Sequence, residues 1–343
     1  MSTVTDVVSG MNGPEKLAGG SLVRTYQVSP EQRLPLVVEP VVEGLSLAEW
    51  CGANRDWIED RLMVHGGVLF RNFEVPTPAD FEKAARATWG ELFADYGDLP
   101  RNSAGEKIYE STPYPPDQMI LWHNESAHLP SWPMRINFHC VQPAPKGGCT
   151  PVIDTRGLMH QLDAAVVEAF RTKGLLYVRN FSAGIDPTWE EFFHTSDRAK
   201  VEEMCRAAGS EYEWRPDGGL RIMTRTPGVV KHPKTGEDLF FNQVQLHHIY
   251  CVDEETREGL RALFDDDELP RNVYYGDGTP IPDEVMEHIG EVFERVCVRF
   301  QWQKGDTIFL DNMLVSHARD TYEGPRKIVV ALAQMMTADR LPA

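Results

Sequence analysis

His123-Asn124-Glu125 puts an imidazole and a carboxylate two residues apart. Such a pair can form the near half of a facial triad, two histidines and one carboxylate, which grips a ferrous ion from one side and leaves its other positions open. Alone the pair is a weak sign. With 11 histidines and 52 acidic residues among 343, about two His-x-Asp/Glu pairs are expected by chance. A single histidine is more often a core or surface residue than a ligand, and Thr150 by itself reads as an ordinary turn or strand hydroxyl. The weight lies in the residues downstream and their fixed order: Gly147-Gly148-Cys149-Thr150 close by, and much later Lys304-Gly305-Asp306, Asn312, His317 and Arg326.

The composition narrows the chemistry. The chain is 42% hydrophobic and 25% charged, as ordinary globular proteins are, and its formal net charge is -18. That field repels phosphate backbones and anionic lipid, so nucleic acid and membrane are not expected partners. An anionic ligand must find a local positive pocket, which makes each buried arginine informative. Six cysteines are scattered without a CxxC pair, which fits neither a disulfide framework nor a zinc ribbon. The longest apolar runs are too short to cross a bilayer and no basic start precedes an apolar segment, so a cytoplasmic protein is expected.

Four separated blocks stand in order: HNESAH, PKGGCTPVIDTR, HPKTGEDLFFNQ and FLDNMLVSHARDTYEGPRKIVVAL. With them the chain resembles the taurine dioxygenase and clavaminate synthase (TauD/TfdA) superfamily of iron(II), 2-oxoglutarate-dependent oxygenases, from about Gly66 to Met336. Within it the likeness is to amino-acid hydroxylases of nonribosomal peptide pathways, the syringomycin-type aspartyl hydroxylases among them. The resemblance implies that His123, Glu125 and His317 bind the metal. It also implies that Thr150, 27 residues after His123, and Arg326, nine after His317, hold a carboxylate of 2-oxoglutarate. A planar guanidinium suits bidentate carboxylate recognition in a partly desolvated pocket, and Lys327 or Arg319 is open to share that role. Halogenases of the superfamily carry a small residue where Glu125 stands, so hydroxylation with release of succinate and CO2 is the implied outcome.

The elements that would position these residues are legible in part. Gly66 to Arg71 reads as a buried strand, and Thr77 and Pro78 open a helix that runs to Gly90. From Met134 to Gln142 apolar residues alternate with Arg135, Asn137 and His139, the period of a half-buried strand. Helices are expected from about Met159 to Lys173, ending at Gly174, and from Asp283 to about Arg299. Lys304-Gly305-Asp306 turns into the strand Thr307 to Leu310, and Lys327 to Met336 forms a last strand. Residues 1–21 read as a flexible tail and 22–343 as one oxygenase domain. Within it, the polar stretch at about 181–268 shows no strong period and reads as a lid insertion. The fold implied is mainly β with flanking helices, a double-stranded β-helix (jelly roll, cupin-like).

Substrate-facing candidates are Arg101, Tyr109, Ser111, Thr112, Arg225 and Asn242, chosen from the segment before the metal motif and from the lid. His247 and His248 read as structural or substrate-facing, since the triad is complete without them, and His128 and His139 read as structural. The expected substrate is an amino acid, free or carried as a thioester on a peptidyl carrier protein that would dock near Arg198 to Arg206, with O2 as co-substrate. Desaturation, epoxidation or cyclisation by the same cofactors remains open, as do a zinc hydrolase using the same ligands and a non-catalytic binding module.

Overall fold

The computed structural model describes residues 22–29, 31–93, 107–110, 114–181 and 187–341. Two sheets face each other across the site. The larger has eight strands: Val23–Ser29, Gln32–Pro40, Gly67–Phe70, Thr307–Asp311, Ser131–Gln142, Lys327–Thr337 and Leu92–Phe93 in spatial order, with Tyr109–Glu110 also paired to Lys327–Thr337. The smaller has Ile120–His123, Val315–Arg319 and Val152–Asp154, in that order. Together they form a jelly roll with helices packed outside.

Strand alternation builds two cores from the large sheet. Ile308, Leu310, Ile136, Phe138, Ile328 and Val330 point inward toward the small sheet. Phe309, Val329 and Ala331 point outward to helices Leu47–Ala53, Arg55–His65 and Pro78–Trp89. The last helix begins as its sequence indicates, with the Thr77 side chain accepting from the Asp80 N–H and Pro78 at the start, and it stops at Gly90 (φ 82).

The long strand departs from the half-buried expectation. Arg135, Asn137 and His139 are as buried as their apolar neighbours, because the three helices cover that face and supply partners. Trp89 donates to Asn137 at 3.1 Å, Glu59 pairs with Arg135, and Phe81 stacks on His139 at 5.3 Å. Polar alternation here marks a face satisfied by protein and not by water.

Two helix boundaries also differ from the sequence reading. The helix expected from Met159 to Lys173 is two, Thr155–Met159 and Ala164–Lys173, split where Asp163 turns extended (ψ 135) and Leu162 enters the core. The other, Asp283–Val296, stops short of Arg299 because Val298 makes both backbone hydrogen bonds to Val152. In the stretch without a period, Glu211–Trp214 and Leu220–Thr226 join Leu175–Phe181 and Arg271–Tyr275 in a four-stranded sheet, with a small core around Phe181, Trp189 and Val201. All six cysteines are free.

Candidate metal centre and active site

His123 ends the strand Ile120–His123, and His317 lies directly opposite on Val315–Arg319. Directly paired residues on antiparallel strands project from the same face, so two histidines 194 positions apart are brought together by one register position. The two rings sit 4.3 Å apart between centroids. Glu125 follows in a turn, with Ser126 in the left-handed region (φ 61). One ligand atom from each of His123, Glu125 and His317 lies within 4.8 Å of the others.

The two imidazoles are prepared differently. His123 Nδ1 lies 2.7 Å from the Leu121 carbonyl. A carbonyl only accepts, so Nδ1 carries the proton and Nε2 keeps its lone pair for a metal. His317 is 4% exposed, and its Nδ1 is buried with no hydrogen-bond partner among the described residues. Burial, aided by the neighbouring His123, holds its pKa well below the usual value. A neutral, desolvated imidazole is what a metal requires of its ligand. Two nitrogens and a carboxylate oxygen with open positions beyond them suit iron(II).

At the other end of the same cavity stands Arg326. Its Nε donates to the Gly148 carbonyl at 3.0 Å and its Nη2 to Thr150 Oγ1 at 3.4 Å. Trp302 also donates to that hydroxyl, at 3.1 Å. Gly148 sits in the left-handed region (φ 72) that favours glycine, and a Cβ there would crowd Arg326 Cδ at 3.0 Å. Arg326 forms no ion pair with an acid among the described residues. Burial, and then the charge of Arg319, push its pKa down to about 10. Of the two alternatives, the Arg319 amino groups are taken by the carbonyls of Tyr114, Pro115 and Gln118, and Lys327 is paired with Glu110 at 2.7 Å. A half-buried cation without a countercharge is costly until an anion arrives.

His123, Glu125, His317, Thr150 and Arg326 all line one cavity, with Ile136, Phe138, Ile328 and Val330 as its apolar wall. The substrate candidates are not gathered in the same way. Arg101, Ser111 and Thr112 lie outside the described residues. Tyr109 is buried and its hydroxyl points to the Phe93 carbonyl at 3.4 Å. Arg225 pairs with Glu211 on the exposed side of the separate four-stranded sheet. Asn242 is buried, capping the Val244 N–H and accepting the Asn124 N–H through its carbonyl. His248 bonds the Ile281 carbonyl, His139 bonds Thr307, and His128 and His247 pack on Tyr177. The stretch 198–206 is a helix in which Arg206 reaches Glu202 and Tyr212. Trp302 at the Thr150 hydroxyl left no sign in the sequence.

Residues 31–332 match the family described as taurine catabolism dioxygenase TauD, TfdA family. The chain belongs to the TauD/TfdA family. Its curated relatives include the dapdiamide synthesis protein DdaC of Enterobacter agglomerans, 36% identical over 276 residues, 80% of this chain and 84% of DdaC. A clavaminate synthase-like protein of Arabidopsis thaliana is 28% identical over 291 residues, 82% and 85% of the two chains. Among solved structures, PvcB of Pseudomonas aeruginosa, an Fe, alpha-ketoglutarate dependent oxygenase from an isonitrile synthetic pathway, aligns with a TM-score of 0.56 at 14% identity, covering 97% of this chain and 100% of PvcB. A taurine dioxygenase of Burkholderia xenovorans aligns at 0.51 and 16%, covering 91% and 89%. These structural likenesses establish the jelly-roll fold. As a TauD/TfdA enzyme the protein is a 2-oxoglutarate-dependent dioxygenase that uses iron(II), 2-oxoglutarate, O2 and a small-molecule substrate. Among the described residues no helix is long and apolar enough to cross a membrane.

Proposed function

We propose that this dioxygenase hydroxylates an unactivated carbon of an amino acid, free or carrier-bound, in natural-product biosynthesis. In this reading His123, Glu125 and His317 bind the iron, and Thr150 and Arg326 hold the distal carboxylate of 2-oxoglutarate. The observation that carries it is the pairing, in one cavity, of a complete His/Glu/His cluster with a half-buried arginine that has no acid partner among the described residues. The relation to a dapdiamide synthesis protein supports the biosynthetic setting.

When bound, the iron couples decarboxylation of 2-oxoglutarate to succinate and CO2 with insertion of one oxygen atom of O2 into a substrate C–H bond. The chain's residues do the rest. The Leu121 carbonyl keeps the proton on His123 Nδ1. Arg326 recognises a carboxylate through a charge-assisted pair, with the Thr150 hydroxyl completing the site. Ile136, Phe138 and Ile328 keep water from the reacting face. Glu125 fills the third protein position, which leaves no place for a halide and favours oxygen transfer. The zinc-hydrolase alternative gives Arg326 and Thr150 no task.

The test begins with anaerobic addition of Fe(II) and 2-oxoglutarate to metal-free protein, reading the weak visible charge-transfer band of the chelated oxoacid. Free amino acids, and the same amino acids as thioesters on a carrier protein, are then supplied with O2. Succinate formed in step with a product that gains one oxygen atom supports the proposal, and the arm that works decides free against carried substrate. A product that loses two hydrogens replaces hydroxylation by desaturation. No band in the presence of tight zinc binding would overturn the assignment of ligands.

A further inference from the structure

Glu125 is the one candidate ligand that no strand holds, since it lies in the turn after Ile120–His123. Its backbone is fixed instead by a side chain. Asn312 Oδ1 accepts the Glu125 N–H at 2.7 Å, and Asn312 Nδ2 donates to the Glu125 carbonyl at 2.9 Å and to the Pro133 carbonyl at 2.8 Å. One amide thus replaces the neighbouring strand that a turn lacks, and both of its N–H donors are used. The brace is reciprocal, because Asn124 Nδ2 donates to the Asn312 and Val315 carbonyls at 2.6 and 3.1 Å. Both asparagines are buried.

What holds Asn312 is its neighbour. Asp311 Oδ1 accepts the Met313 and Leu314 N–H groups at 2.9 and 3.0 Å, shaping the turn that leads to His317. Asp311 Oδ2 accepts from Arg135 and from His232 Nε2, the latter at 3.2 Å. His232 Nδ1 accepts the backbone N–H groups of Lys234 and Thr235, so Nε2 carries the proton and is a donor to Asp311. Burial would raise the Asp311 carboxyl, but Arg135 and His232 outweigh it and keep it ionised. Asp311, Arg135 and His232 are fully buried. This gives the HPKTGED block a task that the active cavity does not, since none of its residues lines that cavity.

We propose that Asn312 is the positioning residue for the Glu125 carboxylate, and that the His232 turn, acting through Asp311, locks Asn312 in place. The inference rests on Glu125 being a metal ligand. Groups that orient metal ligands change metal affinity by about 10- to 100-fold when removed. The test measures Fe(II) dissociation constants anaerobically, the visible spectrum of the Co(II)-loaded protein, and the melting temperature of the metal-free protein. Asn312→Ala is expected to weaken Fe(II) binding by about 10- to 100-fold and to alter the Co(II) spectrum. Asn312→Asp, which keeps the acceptor for the Glu125 N–H, should fall between Asn312→Ala and wild type, and His232→Ala should show a smaller loss in the same direction. Phe309→Leu, on the same strand but facing the helices, should lower the melting temperature while holding Fe(II) as wild type does.

Unchanged Fe(II) affinity in Asn312→Ala, or an equal loss in Phe309→Leu, would overturn the inference. Should Asn312→Ala fail to fold, Asn312→Asp and His232→Ala carry the same comparison with Phe309→Leu. A wild-type chain that takes up no Fe(II) would instead overturn the ligand assignment, a failure visible before any variant is made.

Discussion

The two ends of the active cavity are built on opposite principles. At the proposed metal end the groups around the candidate ligands are neutral or hydrogen-bonded: the His123 proton goes to a carbonyl, the Glu125 backbone to an amide, and His317 is buried as a neutral ring. At the anion end a guanidinium is enclosed with a hydroxyl and a carbonyl but with no acid among the described residues. The first end is preorganised by neutral and hydrogen-bonded groups, with the His317 Nδ1 left without a partner among the described residues. The second is preorganised by an uncompensated charge that opposes folding until a carboxylate is present. The difference teaches that affinity can be stored either as fixed geometry or as strain in the electrostatics.

Removing a ligand is the strongest way to break the metal end. His317→Ala should abolish the charge-transfer band with Fe(II) and 2-oxoglutarate, while the metal-free protein, freed of a desolvated imidazole, melts no lower than a cavity of that size demands. A band that persists in that variant would remove His317 from the ligand set.

The anion end should respond with opposite signs in two measurements. Arg326→Met is expected to raise the dissociation constant of 2-oxoglutarate by about 100- to 1,000-fold, the scale of a lost charge-assisted pair. The metal-free protein should melt at a higher temperature, since the half-buried, unpaired charge is gone. A lower melting temperature would show that Gly148 and Thr150 already compensate Arg326, and the contrast between the two ends would disappear.

The satisfied scaffold behind the metal can be probed by pH. Burial pushes His139 from 6.5 down to about 4. Between those values the unfolded chain binds a proton that the folded chain refuses, so stability is full above about pH 6.5 and falls as pH drops toward 4. At about 1.4 kcal/mol per pH unit the loss from this one group reaches about 3 kcal/mol. Chemical denaturation of the metal-free protein at several pH values should show it, and His139→Gln should flatten that part of the profile. The smallest effect is expected far from both ends: Arg225→Ala breaks an exposed pair with Glu211 and should change stability and 2-oxoglutarate affinity by less than about twofold. A larger change would bring the four-stranded sheet into the site.

The residue types and their order determined the chemistry. His123, Glu125 and His317 stand in the order of a proposed triad that only a fold can close, with Thr150 and Arg326 as the proposed carboxylate-binding residues. Strands and helices with a strong period, such as Pro78–Trp89 and Lys327–Thr337, were legible because burial on one face leaves its mark locally. What the tertiary structure decided was pairing and coverage. It set the antiparallel register that puts His317 opposite His123, and it placed three helices over Arg135, Asn137 and His139, turning a half-buried strand into a fully buried one. It favoured Arg326 over Arg319 and Lys327 by giving the other two partners distant in sequence or across a strand. It also surrounded Asn312 with groups that no spacing announces. Hydrogen bonds between residues nearly two hundred positions apart leave no period in the sequence, because the groups that satisfy each other are brought together only when the sheets close.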